Sequence, residues 1–351
     1  MPSLQNGEER AALIIGGNHM TEKIVLTGIK PTGDLHIGNY VGAIRPAISL
    51  IKESDILPRY FIADYHALTT MQNRKELHDR IYQIAAAWLA FGLDPEKVLF
   101  YRQSDVPEIF ELSWILSCLA SKGLLNRAHA YKAKVDENIA NDRDPDNGVN
   151  MGLFNYPVLM AADILMFNTN LVPVGKDQIQ HVEIARDIAE HFNKIYGETF
   201  TLPEALIEEE TAVIPGLDGR KMSKSYGNVI PLFAEEKQLH KAIFRIKTDS
   251  KTPEEPKDPK TSTLFDIYRA FASEADIESL AKRYEEGIGY GEVKQILFDA
   301  VNEKLQEPRR QYNELINDTP KLDALLQRGA ERARDYAHPF MQEIRNKIGR
   351  Y

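Results

Sequence analysis

The stretch Gly28-Ile29-Lys30-Pro31-Thr32-Gly33-Asp34-Leu35-His36-Ile37-Gly38-Asn39-Tyr40 constrains this chain more than any other. Ahead of it, the β-branched, apolar run Lys23-Ile24-Val25-Leu26-Thr27 reads as a buried strand. Pro31 and the glycines Gly28 and Gly33 break that strand. Behind it, Ile37, Val41, Ile44 and Ile48 recur at helical spacing, with Gly38 and Gly42 in the first turns. A strand, a glycine-bearing loop and a helix start aim backbone N–H groups and the positive helix end at a phosphate. Many α/β proteins carry such a loop for structural reasons alone. A second element, Gly219-Arg220-Lys221-Met222-Ser223-Lys224-Ser225, makes the phosphate reading the stronger one.

Strand and helix patterns alternate through the first part of the chain. Arg59 to Ala63 and Val98 to Tyr101 read as strands, and Glu76 to Phe91 and Pro107 to Leu119 as helices. This alternation predicts an α/β fold with a mostly parallel sheet wrapped by helices. Asp64 and His66 then fall at the carboxyl edge of the sheet, where ligands bind in such folds. Asn141 to Gly148 is a polar, proline-punctuated segment and reads as a mobile loop. Tyr156 to Phe167 is an apolar helix with one carboxylate, Asp163, in its middle. Such a carboxylate either faces a wet edge of its helix or waits for a donor from a ligand. Leu171 to Gly175 reads as a further strand and turn, leading into a helix that carries Asp177, Gln178 and His181 in its first turns. No second His or Cys stands at ligand spacing from His181, so a zinc site is not expected. Five helical segments follow between Ala234 and the last residue.

With 351 residues the chain has room for two domains, and 43% hydrophobic with 27% charged residues is a globular composition. No apolar run reaches membrane-spanning length and no signal peptide is seen, so a cytoplasmic location is expected. The single cysteine, Cys118, excludes an intrachain disulfide, and its apolar neighbours predict a buried structural thiol. A formal charge of −9 disfavours general nucleic-acid binding. The window from Gly219 to Lys251 nevertheless holds eight basic and three acidic residues, a net +5 suited to a selective polyanion contact.

His36-Ile37-Gly38-Asn39 and Lys221-Met222-Ser223-Lys224-Ser225 resemble the two signatures of class I aminoacyl-tRNA synthetases. With Tyr156-Pro157, Met160 and Asp163, the resemblance narrows to the tryptophanyl branch and covers the chain from about Lys23 onward. Asn39 stands where the first signature usually ends in a second His, a variant familiar in that branch. The resemblance implies a Rossmann-like catalytic domain over residues 20–232, with a dimer-forming insertion at about 107–155 and a mobile loop at 219–227. It also implies a helical anticodon-binding domain over 233–351, while residues 1–19 read as a flexible extension. The chain ends at Tyr351 without the extra RNA-binding module of many tyrosyl enzymes.

By the same resemblance the chain activates L-tryptophan with ATP and loads it on tRNA(Trp), as a homodimer, with Mg2+ held mainly by the ATP phosphates. His36, Lys221, Ser223 and Lys224 are the implied catalytic residues. Lys30, Pro31, Thr32, Gly38, Asn39, Lys134, Gly175, Asp177, Gln178 and Met222 join them around ATP. Leu26, Gly28, His66, Tyr156, Met160, Asp163 and Gln178 are the implied tryptophan contacts, with Asp163 accepting the indole N–H. Lys30 departs from the Gln that many relatives carry there. The rival readings are a tyrosyl enzyme, a nucleotidyltransferase with the first signature alone, and a non-catalytic RNA-binding paralogue.

Overall fold

The computed structural model describes residues 22–53, 55–207, 214–223 and 226–350. The extension expected over residues 1–19, and Lys224 and Ser225 of the second signature, lie outside the described residues. Five parallel strands form one sheet: β1 (Lys23–Ile29), β2 (Ile56–Ile62), β3 (Leu99–Arg102), β4 (Leu171–Val174) and β5 (Glu204–Ile207). Their order is β3-β2-β1-β4-β5, with Gly28 opposite Phe61, Tyr60 opposite Phe100 and Val25 opposite Leu171. The chain winds one way from β1 to β3 and the other way from β4 to β5. The reversal opens a crevice at the carboxyl ends of β1 and β4, where open α/β sheets take their ligands.

This is the α/β architecture that the strand and helix alternation predicts. Two boundaries differ for physical reasons. The helix expected from Tyr156 starts at Met151, because Asn150 caps it by accepting the Leu153 N–H at 2.8 Å. It then runs through Pro157, a residue that reads as a helix start when only local preference is weighed. Strand β5 carries no alternating or β-branched pattern and is recognisable only by its pairing with β4.

The last helix, Thr319–Lys347, packs onto strand β3, and the helix before it, Tyr290–Ile316, packs on the Arg74–Ala90 helix. One apolar cluster joins Ile37, Val41 and Trp88 to Leu239, Leu297 and Leu326, and a second joins Leu26, Phe61 and Val158 to Ala333 and Met341. The final helix, Thr319–Lys347, belongs to both. It presses on β3 at Gly329, where a Cβ would stand 1.7 Å from the Phe100 carbonyl oxygen. Arg334 holds the buried Glu108 at 3.0 Å, and Arg345 pairs with Glu111.

The polar segment after the His129–Ala140 helix is pinned in place. Buried Asn138 donates to the carbonyls of Pro145 and Asn147 at 2.9 and 2.8 Å, and Tyr131 donates to Asp146 at 2.8 Å. Cys118 is exposed, against the buried thiol expected from its neighbours. It caps the end of the Pro107–Ser117 helix, whose apolar side faces inward at Ile109, Leu112 and Leu116 and leaves the cap residue at the surface. No described helix is long and apolar enough to cross a membrane.

Candidate active site

A cavity of about 570 Å³ lies in the crevice between the carboxyl ends of β1 and β4. Its wall brings together Leu26, Gly28 and Lys30 from β1 and its loop, His66 after β2, and Tyr156, Met160 and Asp163 from the Met151–Met166 helix. Gly175 and Gln178, after β4, complete it. All seven residues implied as tryptophan contacts thus share one cavity. Gly28 leaves room that a side chain would fill, since a Cβ there would stand 2.5 Å from the Phe61 ring.

Asp163 is 1% exposed, and burial raises its carboxyl above the ordinary aspartate range. Hydrogen bonds from His66 and Gln103 work against that rise. His66 Nε2 lies 2.9 Å from Oδ2, and Gln103 Nε2 lies 2.8 Å from Oδ1 and 2.9 Å from Oδ2. Asp163 therefore does not face a wet edge of its helix; it stands in the cavity wall with protein donors on both oxygens. Both oxygens are already held, and an ionised carboxylate has acceptor capacity left for one more donor.

Gln103 escaped the sequence reading. It is fully buried in the turn Gln103–Asp105 after β3, and its Oε1 accepts the Tyr65 N–H at 3.2 Å. Beside it, buried Asp64 accepts the N–H groups of Tyr65 and Ser104 at 3.1 and 3.0 Å. These two side chains tie the turns after β2 and β3 together and so fix His66 against Asp163. A polar residue just past an apolar strand was the one available signal for Gln103.

Lys30 places its ammonium 3.1 Å from the Thr69 hydroxyl and 3.5 Å from that of Thr70, and burial lowers its pKa. Tyr156 hydrogen-bonds through its hydroxyl to Nε2 of buried His181. Lys134 lies off the cavity wall and pairs with Glu137 at 3.1 Å, one turn beyond Ala130, which does line it. Asp177 belongs to the short turn Lys176–Gln178, and its side chain lies outside the described residues.

The two signatures meet on the same side of the sheet. Ile37 N donates to Ile230 O and Leu232 N donates to Leu35 O, both at 3.0 Å. Met222 is buried, with its sulfur 3.5 Å from where a Cβ on Gly38 would stand. Asn39 turns its side chain back on the loop, its Oδ1 accepting the His36 N–H at 2.9 Å. That bond engages the amide oxygen and makes no use of the two NH2 donors. Pro31 is buried and Thr32 exposed in the same loop, outside the cavity wall. Lys221 is exposed beside Met222, and Ser223 follows it.

A doubly wound parallel sheet with a cavity at its reversal point, flanked by two interlocked loops that carry His36, Asn39, Lys221 and Ser223, is the architecture of α/β proteins that take ligands at a switch point. The family of class I tRNA synthetases for W and Y matches residues 19–306, and the chain belongs to it. The tryptophan–tRNA ligase of Pseudomonas aeruginosa is 55% identical over 333 residues, which span 94% of this chain and 74% of that protein. That of Neisseria meningitidis is 50% identical over 331 residues, spanning 94% and 98%. Among solved structures, the tryptophanyl-tRNA synthetase of Campylobacter jejuni complexed with ADP and tryptophan superposes with a TM-score of 0.84. It is 50% identical, over 93% of this chain and 99% of that one.

Proposed function

We propose that this protein activates L-tryptophan with ATP to tryptophanyl-adenylate and transfers the amino acid to the 3′ end of tRNA(Trp). The observation that carries the reading is the buried carboxylate of Asp163 in the wall of a largely apolar cavity, the arrangement an indole with its single N–H requires. The carboxylate of tryptophan attacks the α-phosphate of ATP and pyrophosphate leaves. This nucleophile is ionised at neutral pH, so positioning and charge stabilisation are what the protein must supply.

Gln178 would take the ammonium end of tryptophan, and Tyr156, Met160 and His66 would enclose the ring. Lys30 sits where either the tryptophan carboxylate or the ATP phosphates would meet a cation. Gly38 and Asn39 would pack on the nucleoside, with His36 donating to phosphates or ribose. Lys221, Ser223 and Lys224 would follow the charge onto the leaving pyrophosphate. Mg2+ would arrive on the ATP phosphates as part of the substrate. In the second step a terminal ribose hydroxyl of the RNA attacks the adenylate carbonyl and AMP leaves.

The helical part, residues 233–351, would bind the anticodon, and the basic window from Gly219 to Lys251 would meet the polyanion. A homodimer is supported by the apolar groove at Tyr65, Phe110 and Trp114, in which Trp114 is 73% exposed. A cytoplasmic location fits such an enzyme. Pyrophosphate exchange into ATP, run with each standard amino acid, tests the whole reading. Exchange with tryptophan alone is expected. Exchange with tyrosine instead would move the assignment to the tyrosyl branch, and none with any amino acid would overturn catalysis.

A further inference from the structure

We infer that Asn228 is the positioning residue of the phosphate-binding loop, the side chain that holds Lys221 and Ser223 at a set distance from the first signature. This rests on the reading that the loop takes the ATP phosphates. Asn228 is 2% exposed and uses both ends of its amide. Its Oδ1 accepts the Ser223 N–H at 2.8 Å. Its Nδ2 donates to Asp218 Oδ1 at 2.7 Å, to the Lys221 carbonyl at 3.1 Å and to the Arg220 carbonyl at 3.4 Å. One side chain therefore grips both arms of the tight turn that presents Lys221.

The surroundings are shaped for that amide. Leu217 N donates to the Asn228 carbonyl at 2.9 Å, and Gly216 N donates to the Arg220 carbonyl at 2.7 Å. A Cβ on Gly216 would stand 2.5 Å from the Asn228 carbonyl oxygen and 2.6 Å from its side-chain amide, so the turn closes only over a glycine. Two residues beyond Asn228, Ile230 pairs with Ile37, and Met222 lies against Gly38. Asn228 thus stands between the anchor to the first signature and the cation to be placed. Its hydrogen bond, with that of Arg220, holds the Asp218 carboxyl at about 2, so this partner is ionised throughout the working range.

Only an amide meets these demands. Alanine removes the acceptor of the Ser223 N–H and one of the donors to the Asp218 carboxylate, which keeps those of Arg220. Aspartate keeps an acceptor for Ser223 but loses the donors and sets a second carboxylate against Asp218. Arg220 pairs with Asp218 from the exposed side, and Lys247, Asp249, Lys257 and Asp258 line the cavity that Asp218 borders.

The test compares wild type, Asn228→Ala and Asn228→Asp in tryptophan-dependent pyrophosphate exchange, with tryptophan affinity measured separately by calorimetry. Both variants are expected to lose about ten- to a hundredfold in kcat/KM for ATP. Tryptophan affinity should stay within about twofold, because the cavity around Asp163 shares no side chain with this turn. Asn228→Asp should regain activity on acidification, as a proton shared with Asp218 restores a donor, and Asn228→Ala should not. If the alanine variant is poorly folded, the aspartate variant and its acid recovery decide the matter alone. Wild-type ATP kinetics in either folded variant, equal losses for ATP and tryptophan, or no acid recovery would overturn the inference. Absence of exchange in the wild type would instead overturn the function proposed above.

Discussion

Gln103 holds both oxygens of Asp163 with one nitrogen, at 2.8 and 2.9 Å, while its own oxygen is committed to the Tyr65 N–H. The amide cannot turn round without setting its oxygen against a carboxylate. Gln103 is therefore a fixed donor that favours the ionised form of Asp163 against the pull of burial.

Gln103→Leu should raise the Asp163 pKa further and lower kcat/KM for tryptophan about ten- to a hundredfold at neutral pH. The KM for ATP should move much less. Steady-state exchange with each substrate varied in turn checks this, and equal shifts in both would assign Gln103 a role in folding only.

Asp163 itself should set the choice of ring. A charged acceptor bonded to the indole N–H in a dry pocket contributes about 1.5–3 kcal/mol. Asp163→Ala should lose that factor for tryptophan and most of the wild-type preference over an analogue carrying sulfur in place of the indole N–H. An unchanged ratio between the two ligands would leave specificity to pocket shape.

The pH dependence follows from the direction of the shift. Burial raises the Asp163 carboxyl, so its ionised form is lost as pH falls through a value above that of an ordinary aspartate. Tryptophan affinity measured by calorimetry should therefore begin to weaken at a higher pH than a free carboxylate would dictate. Asp163→Asn should flatten this limb.

Gly329→Ala gives a stability test with an unusual sign. In an open helix this change stabilises by roughly 1 kcal/mol. Here the added carbon meets the Phe100 carbonyl oxygen at 1.7 Å, and the final helix must move away from β3. A loss of about 1–3 kcal/mol is expected, read as a lower midpoint in thermal unfolding. A raised midpoint would mean that this contact does not exist in solution.

Arg334→Ala should also destabilise, and in a pH-dependent way. Burial would raise the Glu108 carboxyl, yet its hydrogen bonds to Arg334 hold it below the usual glutamate range. A depressed carboxyl contributes stability above its unfolded pKa and loses it as pH falls through the folded value. The Arg334 side chain is 49% exposed, so the difference at neutral pH should be about 1–2 kcal/mol. Urea unfolding of both proteins at neutral and acid pH should show that difference shrinking on acidification.

What the sequence determined by itself was local. Strand β1, the glycine-bearing loop and the helical turn after it are adjacent residues whose spacing and turn chemistry need no partner to be read. The α/β class and the presence of one carboxylate on an apolar helix were legible for the same reason. The tertiary structure decided the partners. Gln103 reaches Asp163 because the Met151–Met166 helix packs on the Pro107–Ser117 helix that follows the turn after β3, and Asn228 reaches Asp218 because the loop turns back on itself. Gly329 meets Phe100 only because the last helix crosses the sheet. Strand β5 is held by its edge pairing with β4, without an apolar pattern of its own. A helix or turn is dictated by preferences within a few residues. The charge state of a buried carboxylate depends on which distant donors the packed chain brings within hydrogen-bond reach.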